Sequence, residues 1–270
     1  MTIDVSGAAC LHVARSGERS VVTRAFASSP LKLLAPRNHG HGVWVFSSTY
    51  GGGLVDRDAL RIDACVGAGA TAFLGTQAAT KVYRSPHGTS HALTATVADG
   101  GLLVVAPDPV VCFAGASYRQ EQHLAIEGSG SAVLVDWLTS GRRASGERWQ
   151  FDRYLSRLRI DRSRRPIVID ALALSGDEAP LAARMGRVNT LGLIVVIGRA
   201  VAEHATMIVE RVSTFGVERR ADLIVGASAI DDGCVVKFAA ASVEDAGRAI
   251  RRYLDFVPAL LGDDPWRRKW

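Results

Sequence analysis

Hydrophobic and polar residues alternate along much of the first two-thirds of the chain. In HALTATV (91–97), Leu93, Ala95 and Val97 fall on one side of an extended chain, and LRIDACV (60–66) alternates in the same way. Successive side chains of a strand point to opposite faces, so each segment predicts a strand with one face on a core. Similar runs recur about every 8 to 12 residues, in SVVTRAFAS, GVWVFSSTY, GLLVVAP, QEQHLAIE, SAVLVDWLT and YLSRLRID.

The last third of the chain mixes strands with helices. SGDEAPLAARMG predicts a short helix ending at Gly186, and AVAEHATMIVERVSTFG predicts a longer one ending at Gly216. LGLIVVIG predicts a buried strand, and ADLIVGASAIDDGCVVKFAAA predicts two strands joined at 231–233. The clearest helix is SVEDAGRAIRRYLDFV (242–257), with its first serine as N-cap and Pro258 bending or ending it.

This order of elements predicts an α+β protein that is mainly β. Residues suited to turns separate the strands, as in DGG at 99–101 and EGSG at 127–130. No internal repeat or low-complexity linker divides the sequence. We therefore expect many short strands and a few α-helices, the clearest near the C-terminus, in a single domain over residues 1–270.

Composition and charge exclude several classes of protein. The chain of 270 residues has a net charge of +5, but its basic residues are mostly scattered arginines, and acidic residues interrupt the cluster RLRIDRSRR. We therefore predict no nucleic-acid partner. No apolar run reaches the roughly 18 residues of a membrane span, and the start of the chain lacks the pattern of a secretory signal. Four separated cysteines without a C-x-x-C pair predict reduced thiols, and hence a cytoplasmic protein.

Catalytic signatures are missing from the sequence. GTQAATK (75–81) contains Gly, Thr and Lys but lacks the spacing of a phosphate-binding loop, and GGGLV (51–55) lacks that of a dinucleotide site. No G-x-S-x-G or H-E-x-x-H motif occurs. The segment FLGTQAATKVYRS (73–85), which we call the polar segment, is too polar for a core strand. Composition and spacing thus reveal no visible active site in the sequence.

Two pairs of histidines are candidate metal ligands. His39 and His41 are separated by one glycine, and His87 and His91 are four residues apart. Neither pair has a nearby cysteine or an evident third ligand, so loop histidines near solvent are the favoured interpretation. Cys112 and Cys234 lie in apolar segments, which predicts that both are core residues. Paired aspartates, such as Asp56 and Asp58, are most often turn formers.

One region resembles a known family. GGGLVDRDALRIDACVGAGATAFLGTQAATKVYRS (51–85) resembles the hallmark region of the UreD/UreH urease accessory proteins, in which a GGGLV-x-GD turn precedes a TTQAATKVYRS-like segment. PDPVVCFAGASYRQ, DWLTSGRRASGERWQF and ALLGDDPWRRKW look like further family segments, in the same order. The chain departs from the pattern at Arg57 and Gly75, where the family has Gly and Thr.

The resemblance implies a non-enzymatic role in urease maturation. The family forms a heteromeric complex with accessory proteins F and G on apo-urease, where GTP hydrolysis by protein G drives nickel delivery. The chain would bridge these partners and convey nickel in transit, without a permanently bound cofactor. The implied fold is mostly β, a stacked or helical arrangement of strands. The alternative is a basic nucleic-acid- or protein-binding β-rich scaffold without a role in metal delivery.

Under this hypothesis the polar segment contacts a partner or lines a passage. It offers neutral hydrogen-bonding groups, two cations and an amphipathic ring, supplied by Thr76, Gln77, Thr80, Lys81, Tyr83 and Arg84. Asp58 and Glu147 are candidate carboxylates of the passage, although Glu147 and Arg142 would equally pair with each other. A third possibility is that these groups satisfy one another inside the fold.

The C-terminal region offers a second candidate surface. Trp266 and Trp270 lie beside basic residues, a composition that suits an interface. The alternative is a tail that folds back on its own core.

Overall fold

Two β-sheets form most of the molecule, as a computed structural model describes it for residues 5–177, 179–214, 216, 218 and 220–267. Within these residues, the first sheet has the spatial order β14 (Arg165–Ser175), β13 (Arg153–Arg162), β11 (Ser117–Ile126), β8 (Thr89–Val97), β5 (Ala59–Val66), β1 (Gly7–Ser16) and β2 (Arg19–Ala27). The second sheet has the order β16 (Leu223–Ile230), β17 (Gly233–Ala240), β15 (Thr190–Ile197), β12 (Ser131–Thr139), β9 (Leu102–Val105), β6 (Thr71–Thr76), β4 (Val43–Thr49) and β3 (Leu31–Leu34). Beside this path, β10 (Val110–Cys112) pairs with β12 and with β7 (Thr80–Val82).

The chain winds between the two sheets, one strand at a time. From β5 to β13 its longer strands alternate between them, while the short β7 and β10 follow β6 and β9 in the second sheet. Neighbours within each sheet are therefore parallel, as β5, β8 and β11 are in the first and β6, β9 and β12 in the second. The turns at the corners stack on one another, and the Asp99 carboxylate accepts hydrogen bonds of 2.8 Å from the amide and hydroxyl of Ser129. This winding confirms the stacked or helical arrangement and the predicted turns.

Two cores follow from this architecture. One lies between the sheets and contains the apolar sides of the alternating strands, with Leu93, Ala95 and Val97 buried and Thr94 and Thr96 exposed, as predicted. The other lies between the second sheet and the C-terminal helices. All four cysteines have free thiols, and the predicted core cysteines are buried, one in each core.

The described residues contain four α-helices, α1 (Leu181–Met185), α2 (Ala202–Ser213), α3 (Val243–Tyr253) and α4 (Val257–Leu261). The predicted end of α1 before Gly186 is confirmed, and so is the N-cap of α3, where Ser242 Oγ accepts a 3.0 Å hydrogen bond from the Asp245 amide. Within the described part of the chain, no helix is long and apolar enough to cross a bilayer.

Two predicted helix ends are wrong. The second helix stops at Ser213, before the glycine that was expected to end it. The third stops at Tyr253, and Pro258 lies in the first turn of α4 instead of bending or ending α3. A proline is tolerated there because the amides of a first helical turn have no partner within the helix.

The prediction that the polar segment is too polar for a core strand is wrong for its first half. Phe73 and Leu74 are buried in β6, a central strand with a core on each face: Phe73 belongs to the helix-covered core and Leu74 to the inter-sheet core. Neighbouring side chains crowd this strand, so a Cβ atom on Gly75 would lie 2.8 Å from the Phe73 ring. The missing side chain of Gly75 therefore leaves room for the buried Phe73 ring.

The C-terminal tail folds back on the protein. The Trp266 ring packs edge-on against Phe73 with 5.9 Å between ring centroids, and the Arg251 guanidinium lies 6.0 Å from the Trp266 centroid. Of the two possibilities for the tail, packing on its own core holds for Trp266. Trp270 lies outside the described residues.

Candidate partner and passage site

The hallmark block folds as one local structure. Its glycine-rich loop (51–55) runs beside β7, where the Leu54 amide donates to the Lys81 carbonyl at 2.8 Å and the Tyr83 amide donates to the Leu54 carbonyl at 2.9 Å. On its other side β7 pairs with β10. The two halves of the block are therefore held together by backbone hydrogen bonds, although 26 residues separate Leu54 from Thr80.

The three glycines have two different tasks. Gly51 and Gly52 have φ angles of 79° and 70°, a left-handed conformation that favours glycine. Gly53 is extended, but a Cβ atom there would lie 2.6 Å from the Tyr83 ring and 2.8 Å from the Lys81 carbonyl oxygen. Arg57, at the position where the resembling family has Gly, also has a positive φ of 71°, a conformation that favours glycine.

The two aspartates after the glycines stabilise the turn. Asp58 Oδ2 accepts a 2.8 Å hydrogen bond from the Val55 amide. Asp56 accepts from the amide of His87 and contacts its Nδ1 at 2.7 Å, and this histidine lowers the pKa of the Asp56 carboxyl. Asp58 is thus a turn former, whereas Asp56 joins the turn to the loop that carries His87. Asp58 lines none of the cavities described below, so a passage role for it stays a prediction.

Arg142 and Glu147 form a clamp over the end of the block. Arg142 Nε lies 3.0 Å from Glu147 Oε2, and its guanidinium stacks 4.1 Å from the centroid of the Phe113 ring. The Glu147 carboxylate also accepts from the Ala114 amide at 3.2 Å, and Phe113 packs edge-on against Tyr83 with 5.1 Å between centroids. Of the roles considered for these two residues, mutual pairing is the one observed.

The side chains of the polar segment divide into satisfied and exposed groups. The Thr76 hydroxyl accepts a 2.8 Å hydrogen bond from the Asp108 amide. The backbone amides of Gln77 and Thr80 donate to Ser47 and Pro109 of neighbouring strands, and the Gln77 side chain is exposed. Hydrogen bonds within the fold thus account for the Thr76 hydroxyl but not for the exposed side chains of Lys81 and Arg84. Binding a partner or lining a passage stays a prediction for the segment.

A polar row crosses the inter-sheet core, and sequence reasoning missed it. His91, Gln120 and Ser156 lie side by side in register on β8, β11 and β13. Opposite them, Asp136 of β12 accepts hydrogen bonds from Gln120 Nε2 at 2.9 Å and Ser156 Oγ at 2.6 Å. The sequence signal that could have revealed the row is the polar Gln120 at an inward position of an alternating strand. Only the register of three strands reveals the row.

Burial shifts the pKa values of two residues at this row, His91 and Asp136. Desolvation lowers the pKa of His91 to about 4, so its imidazole is neutral near pH 7 with one ring nitrogen free to accept a bond. Desolvation raises the pKa of Asp136, and the hydrogen bonds from Ser156 and Gln120 oppose that rise.

Three separate cavities lie along the polar row, and each shares lining residues with the next. The first, of about 90 Å³, opens beside Lys81 and reaches His91. The second, of about 50 Å³, lies between the sheets, shares His91 with the first and reaches Asp136. The third, of about 340 Å³, shares Asp136 and opens near the Asp170–Lys237 ion pair. Of the predicted site residues, these walls include Thr76, Thr80 and Lys81.

The candidate metal ligands His39 and His41 are held in the fold through their backbones. The His39 amide donates to Asp263 Oδ2 at 2.9 Å, and the His41 carbonyl accepts from the Ser20 amide at 2.7 Å. Among the described residues, no group of three or more His, Cys, Asp or Glu side chains is arranged to hold a metal ion.

The close approach at Gly53 predicts a specific sensitivity. We expect Gly53→Ala to lower the free energy of unfolding by about 1–3 kcal/mol, because the new methyl group overpacks against Tyr83 and the Lys81 carbonyl. Gly176→Ala is the matched control, since a Cβ atom there meets nothing within 4 Å. Urea denaturation measures both; equal losses would contradict the assigned role of Gly53.

The clamp predicts a pH dependence of stability. Hydrogen bonding from Arg142 holds the pKa of Glu147 below its ordinary value of 4.5, so the stabilisation is present above that pH and lost as pH falls through the folded-state pKa. We expect Glu147→Gln to be less stable than wild type near pH 7, with the difference shrinking as the pH falls below 4.5 and through the lowered folded-state pKa. Urea denaturation across this range measures it; a difference independent of pH would contradict the clamp.

Comparison with known proteins identifies the family. A family model described as "UreD urease accessory protein" matches residues 5–270. The urease accessory protein UreD of Sorangium cellulosum is 48% identical over 98% of this chain and 85% of its own length. That of Anaeromyxobacter is 42% identical over 97% and 89%, and urease accessory protein D of Arabidopsis thaliana is 30% identical over 94% and 97%. The chain therefore belongs to the UreD family of urease accessory proteins.

Proposed function

We propose that this protein is a non-enzymatic maturation factor that bridges apo-urease and the accessory F–G pair and conveys nickel ions through its interior. Membership in the family supports the role in urease maturation. The observation that carries the nickel part is the row of polar side chains and cavities between the sheets.

The cost of the polar row supports a function for it. Replacing apolar core contacts by Gln120, Ser156 and a carboxylate requires desolvation that hydrogen bonds only partly offset. The Tyr154 hydroxyl, in the wall of the third cavity, lies in the same region without a hydrogen-bond partner among the described residues. An all-apolar inter-sheet core would avoid these costs, so selection for stability alone does not account for the row.

The chemistry of the row suits a cation in transit. Imidazole nitrogen and carboxylate oxygen both bind divalent nickel, and neither holds it as a cage of thiolates would. Neutral His91 offers one nitrogen. Asp136 offers carboxyl oxygens, and an arriving cation would favour their charged form against the desolvation that raises the pKa of this group. Only weak, exchangeable ligation allows an ion to enter at one mouth and leave at the other.

The arginines of the first sheet weigh against the nucleic-acid alternative. Several pair with an acid two residues along the same strand, as Arg61 does with Asp63 at 2.9 Å and Arg159 with Asp161 at 2.9 Å. These pairs neutralise the face locally instead of presenting a continuous basic stripe to phosphates.

Removing the interior charge tests the passage. We expect Asp136→Asn to lower nickel loading of urease by about tenfold, an effect of about 1.4 kcal/mol, because the neutral amide no longer offsets the charge of the ion. Nickel per urease is measured by atomic absorption after co-expression with the urease subunits and accessory proteins. Asp63→Asn, which breaks an exposed pair, is the control. Normal loading with folded Asp136→Asn protein would refute the passage.

Co-purification tests the bridge. With a tag on this chain, we expect both apo-urease and the F–G pair to be recovered from cells that express all of them. A bridge contacts both partners at once. We therefore also expect each partner to be recovered when the other is omitted. Recovery of neither partner with folded protein would refute the bridge without bearing on the interior row.

A further inference from the structure

Two cations flank Tyr83 without a counter-charge. Lys81 and Arg84 are exposed, and the ion pairs found among the described residues include neither of them. Nearby, Arg142 forms an ion pair with Glu147, and Asp56 is hydrogen-bonded to His87. Charge left uncompensated at this place therefore remains available for an external carboxylate.

The backbone beneath these cations is fixed. Val82, between them, is fully buried, and its two neighbours bond to Leu54 on the adjacent loop. The Arg84 stem runs close to Gly115, where a Cβ atom would lie 3.1 Å from Arg84 Cγ. A platform that is rigid before binding loses little conformational entropy on association.

Exposed apolar groups lie at the two ends of the glycine-rich loop, whose Leu54 is hydrogen-bonded to the backbone of Lys81 and Tyr83. Val55 is 55% exposed and Tyr50 is 57% exposed, with the Lys32 ammonium 3.4 Å from the centroid of the Tyr50 ring. Rings and aliphatic groups mixed with basic residues are typical of protein interfaces. We call this area the basic-aromatic surface, formed by Lys32, Tyr50, Val55, Lys81, Tyr83 and Arg84.

We infer that the basic-aromatic surface docks an acidic segment of a protein partner, one rich in Asp and Glu. This inference rests on the proposed function in assuming a partner within the maturation complex. The Arg84 guanidinium can bind a carboxylate through two hydrogen bonds. Lys81 lines the mouth of the first cavity, so a carboxylate bound to it neutralises a charge that otherwise repels an entering divalent cation.

The geometry favours a protein over a nucleic acid. Tyr83 is packed edge-on against Phe113, and the Lys32 ammonium covers one face of Tyr50. Both rings are thus already engaged within the protein, and the few cations around them suit a short acidic segment better than a long phosphate backbone.

Charge reversal tests this docking surface. We expect Lys81→Glu/Arg84→Glu to lower partner recovery in the co-purification at 0.15 M NaCl by about tenfold or more, and Lys81→Arg/Arg84→Lys to retain most of it. The control is Arg24→Glu/Arg165→Glu, two exposed arginines of the first sheet, with an expected change of less than about twofold. Thermal melting confirms that each variant is folded. Equal losses in both reversals would overturn the proposal.

A peptide probe makes the test independent of the partner's identity. We expect wild-type protein to bind a labelled Asp/Glu peptide more tightly than a Lys peptide of the same length, and the Lys81→Glu/Arg84→Glu variant to reverse that preference. Fluorescence anisotropy measures both, and about 0.5 M NaCl should weaken the wild-type binding by screening. An unchanged preference would overturn the proposal, as would a DNA 20-mer that binds this surface and displaces the partner.

The outcomes separate this inference from the proposed function. If charge reversal leaves partner recovery intact while Asp136→Asn still lowers nickel loading, the docking surface is wrong and the passage stands. If charge reversal abolishes recovery while Asp136→Asn loads nickel normally, the surface stands and the passage is wrong.

Discussion

Parallel, in-register pairing within each sheet is the constraint on which the rest of this structure depends. Because side chains of a strand alternate between two faces, pairing in register places matching positions of successive windings in rows. Most inward rows are apolar and form the inter-sheet core. One row is His91, Gln120 and Ser156, and it meets Asp136 across the gap. A slip of one residue in any strand would turn its member of the row to solvent.

The same pairing explains why the hallmark block is contiguous in space. Thr76 at the end of β6 and Lys81 in β7 reach the first cavity from one side, and the glycine-rich loop reaches it from the other. The clamp of Arg142 and Glu147 then covers the ring of Phe113, which supports Tyr83. The residues of three separate family-like segments thus build one surface, with the interior row behind it.

Local patterns in the sequence were sufficient for local structure. Alternation identified the strands around Ile62 and Ala95, and a serine before two acids identified the start of α3. β6 was not predicted because a strand with a core on each face does not alternate between apolar and polar residues, and its small residues resemble those of a loop. The polar row was not predicted because it depends on the register between segments about 30 residues apart. No local sequence pattern contains that register. Asp58 and Glu147 looked available in sequence, but backbone amides nearby engage both carboxylates.

The packing of Trp266 on Phe73 couples the end of the chain to the middle of the second sheet. Phe73 shares β6 with Thr76, whose hydroxyl lies at the first two cavities. Trp266 is consequently a natural fluorescent reporter on this strand, because its indole emission responds to any repacking around Phe73.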